Sequence, residues 1–221
     1  MSPILPAEAA TTCPLPVRRF LRTDNRAGPE GRTVTTKSTL DAERADLLAQ
    51  LTDARAALIA TTDGLDDEQA GSRPTVSELC LGGLIKHVAS VEEQWLRFAV
   101  DGPAAMSFEL PDGVTWADIM AGTASSYPQW MIEHGRDFRM SPEDTLAAIL
   151  ARYERVAART AEVVAALPDL NAEFPLPEAP WHRPGEVRSV RRVLTHVISE
   201  TAQHAGHADI LRETIDGRRA S

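Results

Sequence analysis

A chain of 221 residues, 43% apolar and 25% charged, is long enough to bury one sizeable core. Its formal charge of −9 is uneven, because residues 1–37 hold six Arg or Lys against three acids and leave −12 on the remainder. So acidic a body suits neither nucleic acid nor an anionic membrane surface, and no apolar run reaches the roughly 18 residues of a spanning helix.

The two cysteines, Cys13 and Cys80, are too far apart for a redox or zinc pair by spacing and suggest no disulfide framework, so a reducing cytoplasm is the expected location. Residues 1–37 contain repeated prolines and no periodic apolar pattern, which predicts a disordered leader or the product of an upstream start codon. Arg18-Arg19 before Phe20-Leu21 faintly resembles a twin-arginine export signal. The segment RTDNRAGPEGR follows where an apolar region is required, so export is rejected.

The structured domain is expected over residues 38–217, with 218–221 as a tail. Ser38-x-x-Asp41 predicts a capped start, and Leu40, Leu47, Leu48, Leu51, Leu58 and Ile59 continue at helical spacing to near Gly64. After Pro74, the positions Leu79, Leu84, Ile85, Val88, Val91, Trp95 and Phe98 predict a second helix, closed by Asp101-Gly102-Pro103. A third is expected from Ser141-Pro142-Glu143-Asp144, with Ser141 as cap, to Pro168. The fourth is expected from Ser189 to Gly217. Four such helices, with no convincing strand pattern, predict an all-α four-helix bundle.

Two connections, 101–140 and 168–188, are long for a bundle and carry Trp116, Tyr127, Trp130, His134, Trp181 and His182. Lid and surface insertion are equally open readings, with a short helix expected after Thr115-x-x-Asp118.

The fourth helix raises the chemical question. His196, Glu200, His204 and His207 stand at i, i+4, i+8 and i+11, so they project from nearly one stripe. A Glu and a His one turn apart can share an ion, and His87, at the edge of the second helix's apolar face, is the obvious third ligand. Spacing equally allows His196 with Glu200, or His204 with His207, as the chelating pair. It also allows the bland alternative of histidines that are merely hydrogen-bonded. Three protein ligands would leave a position open for water or substrate, as catalytic sites require.

The order LGGLIKHVASVEEQWL, ILARYERV and SVRRVLTHVISETAQHAGHADILRETIDG resembles the DinB-like four-helix superfamily, and within it the actinobacterial branch similar to mycothiol S-transferases. The resemblance covers about residues 38–217 and is most specific in H-x3-E-x3-H-A-G-H-x-D-x-L-R-E-x-I-D-G from His196 onward. It implies one divalent ion, zinc or nickel, held by His87, Glu200 and His204. Many relatives have histidine where Glu200 stands; glutamate there is similar to mycothiol-dependent members, including the maleylpyruvate isomerase. His207 is then expected at the pocket rim and His196 as a packed or supporting group.

The implied activity is transfer of a low-molecular-weight thiol, mycothiol or a relative, to a small electrophile, with detoxification as its setting. A metal-dependent hydrolase and a binding module without turnover are the alternatives. Partners are the thiol and the electrophile, with no nucleic acid and no membrane; a homodimer through helix faces is a further expectation. Arg188, Arg191 and Arg192 are expected to be a solvated face pairing with acids rather than an anion site. Arg212 is expected to pair with Glu213, Asp209 or Asp216, while Cys80 and Trp95 are expected in the core.

Overall fold

A computed structural model describes residues 41–219. The expected leader, and Ser38 and Leu40 of the expected first helix, lie outside the described residues.

Helix α1 (Ala42–Ala60) is capped by Asp41, whose Oδ1 accepts the Arg44 amide at 2.9 Å. A carboxylate just ahead of the first turn reaches an amide that has no partner within the helix. The helix buries Leu51 and Leu58 and closes through Thr61 and Thr62 before Gly64, at φ +75°. Short α2 (Asp67–Gly71) follows behind a reciprocal Asp66/Gln69 cap.

Helix α3 (Leu81–Asp101) begins at Cys80, which is buried and accepts the Gly83 amide through Sγ at 3.4 Å. It runs three residues past Phe98 and stops at Gly102, whose φ of +62° ends the helical path. Within the first long connection, α4 (Trp116–Ala121) forms behind Thr115 as expected, and α5 (Gln129–Asp137) follows Pro128. Nothing in the sequence had marked α5.

Helix α6 (Leu146–Ala166) starts later than expected. Thr145, not Ser141, is the cap, and its hydroxyl accepts the Ala148 amide at 3.2 Å. The Ser-Pro-Glu-Asp signal makes a separate turn instead: Asp144 Oδ2 accepts from the Ser141 amide at 2.7 Å and hydroxyl at 3.0 Å. The second long connection contains two short strands that the periodicity did not reveal, β1 (Glu173–Pro175) and β2 (Val187–Ser189), paired antiparallel. Three residues each are too few for an alternating pattern to register. Ser189 then caps α7 (Val190–Asp216), which ends at Gly217 as expected.

The four long helices close a ring in which α1 packs on α7, α7 on α3, α3 on α6, and α6 on α1. The frame is therefore the all-α bundle expected, with the short elements carried in its connections. One apolar cluster, around Leu84, Val88, Tyr153 and Leu211, fills one part of the interior. A second, around Phe98, Val164, Val190 and Val193, fills another. A buried polar group also lies inside: Arg55 of α1 donates to Glu92 of α3, at 3.1 Å through Nε and again through Nη2, and the Thr160 hydroxyl of α6 donates to the same carboxylate. Charges this deep persist only when paired.

Candidate metal centre

His87 sits two turns into α3 and is 4% exposed. Gly82 and Gly83, at the start of that helix, admit the segment that follows α5. A Cβ on Gly83 would lie 2.1 Å from the Phe138 carbonyl oxygen, and one on Gly82 would lie 2.3 Å from Met140 Sδ. The close approach lays the Phe138 ring flat on His87, with centroids 4.0 Å apart. His204 of α7 and His134 of α5 both stand edge-on to the same imidazole, each with its centroid 4.9 Å away. Burial, reinforced by the neighbouring imidazoles of His134 and His204, pushes the His87 pKa down to about 3. The ring is neutral at physiological pH.

One ligand atom each of His87, Glu200 and His204 lies within 4.8 Å of the other two. Glu200 is half-buried, its Oε2 3.7 Å from His204 Nε2 and its Oε1 4.0 Å from His196 Nε2. Both separations exceed hydrogen-bond length, so the carboxylate stands between two imidazoles without being bonded to either. His87 Nδ1 is buried and has no hydrogen-bond partner. An unpartnered buried imidazole nitrogen, a second imidazole and an unbonded carboxylate make a donor set suited to zinc or nickel. Bonds of about 2 Å would require the three groups to close by roughly an ångström, within reach of side-chain rotation.

The remaining residues singled out in the sequence fall around this group. His207 Nδ1 lies 3.4 Å from His204 Nδ1, a contact that fixes the His204 ring and leaves Nε2 turned towards Glu200. His196 is edge-on to Trp95 at 4.9 Å, and the Arg188 guanidinium lies over the same indole at 4.7 Å. Arg188 pairs with an acid as expected, its Nε 3.7 Å from Glu186 Oε1, but it is not the solvated charge expected, since only 16% of its side chain is exposed. Arg191 and Arg192 do pair with acids, Glu43 and Glu186 respectively. Arg212 binds Asp216 at 2.9 Å and donates to the Thr61 carbonyl at 2.8 Å, tying α7 to the end of α1.

His134 carries no site signal in the sequence, since a lone histidine in a long connection has no spacing partner. It also lines a cavity of about 750 Å³ between α3 and α5, together with Val91, Gln94, Trp130 and Trp181. The cavity thus opens one side chain away from the His87, Glu200 and His204 group.

A closed all-α bundle with a two-histidine, one-glutamate group spanning two of its helices is consistent with the DinB-like fold that the resemblance implies. The family model for mycothiol S-transferase matches residues 46–217, and the chain belongs to that family. No curated protein matches it.

Proposed function

We propose that the chain joins the sulfur of mycothiol, or a closely related thiol, to a small electrophile at a site built on one divalent ion, zinc or nickel. His87, Glu200 and His204 would hold the ion. The observation that carries this reading is the convergence of those three side chains within 4.8 Å, from two helices, in a chain of the mycothiol S-transferase family. When bound, the ion would lower the pKa of a small-molecule thiol from about 8.5 and stabilise the thiolate.

The chain's own residues do the rest. Burial keeps the His87 lone pair unprotonated at neutral pH. Phe138 excludes water from one face of that ring, and His207 orients the His204 imidazole. The Glu200 carboxylate offsets one unit of cationic charge. In the transfer a carbon–sulfur bond forms, and either a leaving group departs with its bonding pair or a conjugated carbon gains a proton. The thiol proton passes to solvent. A cytoplasmic location belongs to the same proposal, because the thiol must stay reduced; no helix among the described residues is long and apolar enough to cross a membrane.

The test is purification with metal analysis, followed by conjugation of mycothiol to a fluorogenic electrophile with and without chelator. Near-stoichiometric metal and chelator-sensitive conjugation are expected. Full activity in metal-free protein would overturn the reading, and ester or amide hydrolysis without any thiol would favour a hydrolase.

A further inference from the structure

The two long connections meet in one aromatic cluster. Phe108 and Trp130 from the first lie 4.9 Å apart, and Trp181 from the second lies 5.6 Å from Phe108 and 6.2 Å from Trp130. Trp116 supports Trp181 from behind, edge-on at 5.1 Å. Trp181 is nevertheless 50% exposed. An indole held by four other rings, His182 being the fourth at 5.9 Å, yet left open to solvent has the properties of a platform, since the packing fixes its plane while one part stays accessible. Trp130 Nε1 is buried with no hydrogen-bond partner, which leaves the cluster one acceptor short.

Phe108, Trp130 and Trp181 line the cavity of about 750 Å³, and His134, which abuts His87, lines it too. A volume of this order holds a drug-sized molecule. The cavity therefore offers stacking surface together with an approach to the proposed metal ligands. Compounds that thiols attack through conjugation are electron-poor across a flat π system, and indole is electron-rich. Offset stacking between the two is favourable beyond the area it buries.

We propose that this aromatic wall, with Trp181 at its open edge, is the electrophile subsite, and that the electrophile is a planar, electron-poor aromatic or conjugated compound. The inference rests on the transferase reading for its chemistry, but its binding half stands independently. Stacking arranges the flat substrate along the cavity, with its reactive carbon towards His134 and the group behind it. Loss of the indole plane should weaken capture of flat electrophiles and leave small aliphatic ones untouched.

The test uses full-length, metal-loaded protein and two variants, Trp181→Leu, which stays apolar but loses the plane, and Trp181→Phe, which restores a plane. With mycothiol as thiol, 1-chloro-2,4-dinitrobenzene should show a KM raised about 3- to 10-fold in Trp181→Leu with kcat little changed. Trp181→Phe should recover most of that loss, and iodoacetamide should react about equally with all three proteins. Equal effects on both electrophiles, or none on either, would overturn the subsite. A calorimetric titration with unreactive 1,3-dinitrobenzene separates the two readings. Binding by wild type that weakens in Trp181→Leu upholds the aromatic subsite even if no conjugation is seen, and absence of binding by wild type overturns it whatever the transferase assay shows.

Discussion

The Phe138 ring is stacked on the His87 imidazole with 24° between their planes, although the two residues come from different elements of the chain. Two glycines make this contact, because the α3 backbone at Gly83 lies directly on the backbone of Phe138 and Arg139, while Gly82 leaves room for the Met140 side chain. Gly83→Ala would set a methyl carbon 2.1 Å from a backbone oxygen, which cannot rotate away. Thermal unfolding should show a loss of about 1–3 kcal/mol, and metal titration should show weaker binding as Phe138 withdraws. Gly135→Ala, on α5 with open space around its Cβ, should be neutral or slightly stabilising.

The unpartnered His87 nitrogen leads to a prediction about metal content. His87→Ala and Glu200→Ala should each abolish stoichiometric zinc or nickel in the purified protein, measured by elemental analysis. His207→Ala should retain the metal but lower its affinity about 10- to 100-fold in a competition titration with a chelating indicator, because it only steadies a neighbouring ring. Equal loss in all three variants would assign His207 a direct role.

An ion bound by the folded chain alone stabilises the fold by mass action. At free zinc about 100-fold above Kd, the stabilisation should be near 2.7 kcal/mol. It should vanish on adding chelator and be absent in His204→Ala, as read by denaturant unfolding. A melting temperature insensitive to chelator would contradict the proposed site.

The Arg55–Glu92 pair should behave as a buried charge pair does. Glu92→Ala strands a guanidinium that is 9% exposed and should cost about 3–5 kcal/mol. Replacing both, with Arg55→Met and Glu92→Leu, should recover much of that loss. The unfolding midpoints of the wild type and the two variants decide the matter.

The start of α6 distinguishes two caps. Thr145→Ala should cost about 1 kcal/mol, while Ser141→Ala should cost a few tenths, the reverse of what the Ser-Pro-Glu-Asp spacing implies. Both variants can be compared by chemical unfolding.

That reversal marks the limit of local signals in the sequence. Leu84, Ile85 and Val88 on α3, and Val156, Val163 and Val164 on α6, repeat at helical spacing for several turns, so the long helices were legible. Local cap chemistry was less so: Ser141 and Thr145 are both competent caps four residues apart, and the choice rests on where α6 meets the bundle. The stripe on α7 left three chelating pairs open. Packing of α3 against α7 brings the His87 ring to His204 and Glu200, a relation of residues more than a hundred positions apart that spacing does not encode. Helix α5 stays hidden because it spans only nine residues, with Trp130, Met131 and Ile132 adjacent in sequence and too little length for a three-and-four spacing to repeat, and with it the contact of His134 on His87.

Cys80, the cap of α3, has a last bearing on the chemistry proposed. A catalyst that gathers alkylating agents risks inactivation through its own sulfur. Among the described residues Cys80 is the one thiol, and at 1% exposure, with Sγ occupied by the Gly83 amide, it is shielded from such attack. The described part of the fold thus keeps self-modification apart from turnover, so that reactivity would reside in a small thiol that leaves with the product.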